Sequence, residues 1–253
     1  MRFRPLPLAL LLVAGSTGKP LPVAAALPPV SPVPAESRQM LLSISRDWSA
    51  TSTLLRAYER VPGGPWKPWD EPFTASLGRA GMAWGRGLHP DDVVGTRKKE
   101  GDGKSPAGVF ELRLLTGYTK TALPGTRLAY REATETLRCV DDAKSRYYNK
   151  LVDEAAVVKD WSSAEDMHRK DVLYKWAIWV GHNDAPVDPG GGSCILLHLR
   201  TAPSETTDGC TAFEEKTMER LLRWLDPSAR PVLVQLPQGT LRALAAEWGL
   251  PQP

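Results

Sequence analysis

Residues 192–200 read Gly-Ser-Cys-Ile-Leu-Leu-His-Leu-Arg, and after a short loop residues 207–210 read Thr-Asp-Gly-Cys. The apolar run has the content of a buried strand and carries His198 near its end. A loop rich in Pro, Ser and Thr then leads to the Gly209-Cys210 step. Such an order of elements sets an imidazole beside a thiol. Cysteine is a ready nucleophile as its thiolate, and a neighbouring histidine makes the thiolate by taking the proton. Gly209 has no Cβ, which opens access to the sulfur. Peptide N–H groups at this turn would hold an oxyanion. A second block, Gly101-Asp-Gly-Lys-Ser-Pro-Ala-Gly-Val-Phe110, lies upstream. It precedes a strand and not a helix, so it is no phosphate-binding loop. Its Gly and Pro set backbone geometry, and Asp102 and Pro106 are read as structural.

Together the two blocks resemble the L,D-transpeptidase (YkuD-domain) family. That family carries G-D-x-x-[TS]-P-x-G-x-[FY], and later a His, a gap and [ST]-H-G-C. Gly101, Asp102, Ser105, Pro106, Gly108 and Phe110 match the first pattern. His198, Thr207, Gly209 and Cys210 match the second, over a shorter gap. Asp208 replaces the family's second His, and Thr211-Ala212-Phe213 lacks the Arg or Asn often found after the Cys. The resemblance implies a mostly β catalytic domain, a β-sandwich or barrel-like fold with a few short helices outside. It implies Cys210 as nucleophile, His198 as base and backbone N–H groups near Gly209 and Cys210 as the oxyanion site.

The implied reaction is attack on the carbonyl between the third residue and D-Ala of a peptidoglycan stem tetrapeptide. D-Ala leaves, a thioester remains, and an amine of a second stem peptide or a protein lysine resolves it. Water as acceptor would make an L,D-carboxypeptidase. A non-catalytic cell-wall binding protein on the same scaffold is the alternative from another class. Thr207, Asp208, Arg200, His182 and Asn183 are the expected substrate contacts. Asp208 has three open readings: it orients His198, it replaces the contact of the missing His, or it bonds its own turn. His182 rivals His198 as base, but His and Asn adjacent in sequence rarely form a papain-like set, which also places Cys first. His89 and His168 lie in polar contexts and read as solvated.

Four His and three Cys without C-x-x-C or H-x-x-x-H spacing argue against a metal site. No cofactor is expected. Net charge is +3 with acids and bases interspersed, so there is no basic stripe and nucleic acid is not an expected partner. A monomer is expected.

Residues 1–26 read as a signal peptide: Arg2 and Arg4, an apolar Leu6 to Val13, then Ala24-Ala25-Ala26. The apolar run is too short to span a bilayer, so no membrane span is expected after processing. Residues 27–38 read as a Pro-rich linker and 39–253 as the catalytic domain. The protein is expected to be exported, to the periplasm or cell envelope. Export implies an oxidising compartment. Of Cys139, Cys194 and Cys210, an odd count points to one free thiol. The other two would be bridged, or would be small buried hydrophobes.

Strands are expected over 40–45, 51–60, 66–73, 109–115, 172–180, 194–199 and 231–236. Helices are expected over 214–225, with Met218, Leu221, Leu222 and Leu225 on one face, and over 241–248.

Overall fold

The computed structural model describes residues 31–252, so the expected leader and residues 27–30 lie outside it. The strands are β1 (Gln39–Ser45), β2 (Ser52–Glu59), β3 (Lys67–Pro68), β4 (Phe73–Ser76), β5 (Met82–Trp84), β6 (Ser105–Gly117), β7 (Ala129–Glu132), β8 (Leu137–Val140), β9 (Leu151–Asp153), β10 (Ala164–Asp166), β11 (Trp176–Val180), β12 (Leu196–Leu199), β13 (Thr211–Phe213) and β14 (Val232–Pro237). The helices are α1 (Glu215–Trp224) and α2 (Gln238–Trp248).

The main sheet runs β1-β14-β6-β11-β12-β13-β4-β2, and β1 also pairs with β2. The ring therefore closes, which removes the open edges a sheet would otherwise expose. Strand alternation assigns each residue a side. Leu41, Leu55, Ala75, Phe110, Ile178, Leu197, Phe213 and Leu233 come one from each strand of the ring and meet in a single core. Their neighbours Met40, Leu42, Val109, Val232 and Val234 face outward into a second core under α2.

Helix α1 presents Met218, Leu221, Leu222 and Trp224 to the first core. These positions recur at helical spacing, so one stripe is buried. Helix α2 ends at Gly249 in the left-handed conformation, φ 63°, where a side chain would be strained. The Pro-rich stretch is not a free linker over its described part. Val33 is buried against α2's core, and Ser31 Oγ donates to Trp248 O at 2.6 Å.

A second sheet, β10-β8-β9, was not legible as strands in the sequence. It sits in the long connection between β6 and β11. The Cys139–Cys194 disulfide bolts it to the barrel, linking β8 to the run that enters β12. Residues 172–175 form a turn, so β11 begins only at Trp176.

Two histidines are structural. His89, read as solvated, is buried; its Nδ1 accepts from Val109 N at 3.2 Å and its Nε2 donates to Gly85 O at 3.1 Å. Its ring fills the space above Gly108, where an added Cβ would lie 2.0 Å from His89 Cε1. His182 is 1% exposed and lies against Phe110. Its Nδ1 accepts from Arg86 N and its Nε2 donates to Gly191 O, each at 3.1 Å. The ring is thus neutral, and burial pushes its pKa down to about 3. His168 is half-buried, its Nδ1 2.6 Å from Ala133 O.

Gly108→Ala should cost about 3 kcal/mol or more, since φ is +137° there and the new methyl overlaps the His89 ring. Urea unfolding of the variant measures it. A depressed histidine pKa contributes stability present above the unfolded value, near 6.5, and lost as pH falls toward about 3. At about 1.4 kcal/mol per unit, this corresponds to a loss on the order of 5 kcal/mol across that window. His182→Gln should flatten the acid limb of a stability-versus-pH curve; an unchanged limb would contradict this.

Candidate active site

β12 and β13 pair in parallel with Leu197 opposite Thr211 and His198 opposite Ala212. One step back along that register, Cys210 faces Leu196. Side chains two apart share a face, so His198 and Cys210 stand one pair apart on the outer face of the ring. The Leu196 N–H donates to Cys210 Sγ at 3.3 Å. Both side chains line a cavity of about 410 Å³ between the barrel and the small sheet.

The turn before Cys210 is held from several sides. Thr207 Oγ1 donates to Cys210 O at 2.6 Å and accepts from Gly209 N at 3.2 Å. Ser105 Oγ donates to the same Cys210 carbonyl at 2.9 Å and accepts from Gly78 N at 2.9 Å. Gly209 has φ +149°, and a Cβ there would lie 3.0 Å from Lys104 O. Glycine is therefore required at this step. Asp102 organises the upstream block by accepting from Lys98 Nζ at 2.8 Å, and from Lys99 N and Lys104 N at 2.9 Å each.

His198 Nδ1 lies 2.8 Å from Leu199 O, so Nδ1 carries the hydrogen and Nε2 keeps its lone pair. Burial pushes the imidazole pKa down to about 4. Burial, and then the charge of Glu165, push the Cys210 thiol up to about 12. The Leu196 N–H, the Lys98 ammonium and Tyr174 act in the opposite direction. Burial of the two side chains thus favours the neutral thiol and the neutral imidazole over a separated ion pair.

The expected contacts divide. Thr207, Asp208 and Gly209 line the cavity. His182 and Asn183 do not; they build the 181–192 loop. Asn183 Nδ2 donates to Asp188 O and Gly192 O, at 2.9 and 3.0 Å, and its Oδ1 accepts from Asp188 N at 2.8 Å. Arg200 is also buried in the scaffold, donating to Ser76 Oγ and Thr74 O at 3.1 Å each, which ties the end of β12 to β4. Asp208 points to solvent, its side chain 91% exposed and paired with Arg79. It does not orient His198, whose Nδ1 is already given to Leu199. Of the two amides expected to face an oxyanion, that of Gly209 is spent on Thr207. Only the Cys210 amide is left as a candidate.

Sequence reasoning missed the cavity's far wall. Glu165 and Tyr174 come from the small sheet and the turn before β11, and Lys98 and Glu100 from the loop before β6. The Tyr174 ring meets the His198 ring edge-on with centroids 5.1 Å apart. Glu100 accepts from Tyr148 Oη at 2.5 Å and Ser193 Oγ at 2.6 Å. In the sequence these residues sit in polar, unpatterned stretches with no periodicity to place them. Among the described residues no group of His, Cys, Asp and Glu is arranged to hold a metal ion.

No curated protein and no solved structure matches the chain. Residues 55–234 match the family model described as the YkuD L,D-transpeptidase catalytic domain, from within β2 to within β14. That stretch spans more than half of the chain and contains both motif blocks and the residues lining the cavity; of the ring's strands, β1 lies outside it. The chain belongs to the L,D-transpeptidase (YkuD) family.

Proposed function

We propose that the protein is an exported peptidoglycan L,D-transpeptidase with Cys210 as its nucleophile. The observation that carries this reading is a free thiol, Cys210, sharing one face and one cavity with an imidazole fixed at Nδ1. His198 Nε2 takes the Cys210 proton, and the resulting thiolate attacks the carbonyl that precedes D-Ala in a stem tetrapeptide. The Cys210 N–H faces the oxygen as it gains charge. His198 Nε2 protonates the departing D-Ala amine, and a thioester remains on Sγ. An incoming amine then adds to the thioester, His198 takes its proton, and sulfur leaves.

The cavity's charges suit these partners. Glu100, Asp141 and Glu165 line it and attract a cationic acceptor amine. Arg169, on the cavity wall, answers a carboxylate of the stem peptide. This balance favours an amine over water as acceptor. Export is supported by the Cys139–Cys194 disulfide, which persists in oxidising compartments, and by the leader-like residues 1–26.

Incubation with a stem tetrapeptide should add the tetrapeptide minus D-Ala to the intact mass. Cys210→Ser should lose the adduct, and His198→Ala should form it at least about 10²-fold more slowly. An adduct surviving Cys210→Ser would sink the reading. Adding an amine should convert the adduct to a cross-linked peptide faster than to free tripeptide. Protein recovered from the cell envelope should titrate one thiol when denatured without reductant; three would remove the support for export.

A further inference from the structure

The Gly209 turn leaves the oxygen that gains charge short of a partner. The Gly209 amide is spent on Thr207 Oγ1, so the Cys210 N–H stands alone. Beside this turn lies a buried cation that the proposed reaction does not use. The Lys98 side chain is 3% exposed and lines the same cavity as Cys210. Its Nζ is 3.3 Å from the point where a Gly209 Cβ would sit, and its Cε is 2.9 Å from that of Gly192. Both positions admit the lysine because they carry no side chain. An ammonium has three N–H donors. One goes to Asp102 Oδ1 at 2.8 Å and one reaches Lys99 O at 3.5 Å, which leaves the third.

We propose, resting on Cys210 as nucleophile, that the Lys98 ammonium is the second member of the oxyanion site, beside the Cys210 N–H. As sulfur bonds to the carbonyl carbon, the C=O π pair moves onto oxygen. The third Lys98 N–H donates a hydrogen bond to that oxygen and keeps its proton. When the double bond re-forms, the leaving group departs with its own bonding pair, and Lys98 is unchanged. Asp102 does not touch the oxygen. It is a positioning residue that fixes where the ammonium points.

The ion pair is a dipole with its positive end at the cavity. Lys98 lines the cavity and Asp102 does not. The Asp102 carboxylate also accepts from Lys99 N and Lys104 N at 2.9 Å each. Those two amides already close the loop, and burying an ammonium is costly, so a charge there is an expensive way to hold a loop alone. The cavity wall also bears Glu100, Asp141 and Glu165, which disfavour a developing anion. A fixed cation at the turn offsets them. Such a donor needs no rearrangement as the oxygen gains charge.

Two reagents separate the oxyanion from the thiol, since Cys210 is the free cysteine. The ester p-nitrophenyl acetate acetylates sulfur through a tetrahedral oxyanion. Iodoacetamide alkylates the same sulfur by displacement, with no oxyanion. Both rates are read by intact mass at one pH, with Cys210→Ser as the blank. Neither reagent is a stem peptide, so failure here leaves the transpeptidase reading standing, and failure to form the stem-peptide adduct leaves this result standing. Lys98→Gln keeps a donor for Asp102 and removes the charge. It should slow acetylation at least about tenfold relative to alkylation. The double variant Lys98→Met, Asp102→Asn removes both charges together, so no unpaired carboxylate is left buried to unfold the protein. It should show the same selective loss. A site that has merely loosened changes both rates by the same factor. Equal changes in the two rates, or acetylation at the parent's rate, in either variant overturn the proposal.

Discussion

The carbonyl oxygen of Cys210 accepts from Ser105 Oγ, 105 residues away in sequence, and from Thr207 Oγ1, three residues away. This double acceptance joins the two blocks that carry the family's pattern. Ser105 opens β6, the longest strand of the ring, and Thr207 begins the turn. With its carbonyl pinned, Cys210 cannot rotate its backbone without breaking two hydrogen bonds, one buried and one partly so. Each is worth about 1 kcal/mol net and costs more if left unmade. The sulfur therefore has a fixed origin, and the Leu196 N–H, the cavity wall and His198 are all placed relative to it.

Burial of the two reacting groups is the second constraint on the site. The same enclosure that positions the thiol and imidazole drives both toward their neutral forms. A nucleophile so protected is inert toward adventitious chemistry until a proton has somewhere to go. The surrounding carboxylates, Arg169 and the Lys98–Asp102 pair are charges that bear on where that is. Lys98 lies close to the Gly209 turn, which makes the Asp102 loop electrostatic as well as geometric in its effect.

His198 and Cys210 were readable because local chemistry and local geometry coincide there: an apolar strand, a short loop and a Gly-Cys step leave few arrangements. Closure of the ring was only partly readable. It depends on the parallel pairing of β1 with β14, nearly two hundred residues apart, and on a single bridge between Ala212 and Ser76. Nothing in a strand's own composition names such partners. His182, Asn183 and Arg200 misled for a related reason. Polar residues at strand ends and in glycine-rich loops look like cleft residues, but here their hydrogen bonds are consumed by backbone carbonyls and hydroxyls of the scaffold. Asp208 was open to three readings because its sequence position says nothing about Arg79, its partner across the rim. Glu165 and Tyr174 could not be found from pattern at all, since they face the site from a sheet of three short strands and from the turn before β11.

That small sheet is the roof of the cavity, and one covalent bond fixes it to the floor. The Cys139–Cys194 bridge closes a loop of 55 residues, which by chain entropy is worth about 4 kcal/mol. Cys194 also lends its carbonyl to the Cys210 thiol at 3.5 Å. The clearance available to a substrate is thus written in the oxidation state of two sulfurs that take no part in the reaction. In a reducing environment all three cysteines would carry thiols. Oxidation singles one out, so the environment that builds the roof also decides which sulfur is left to react.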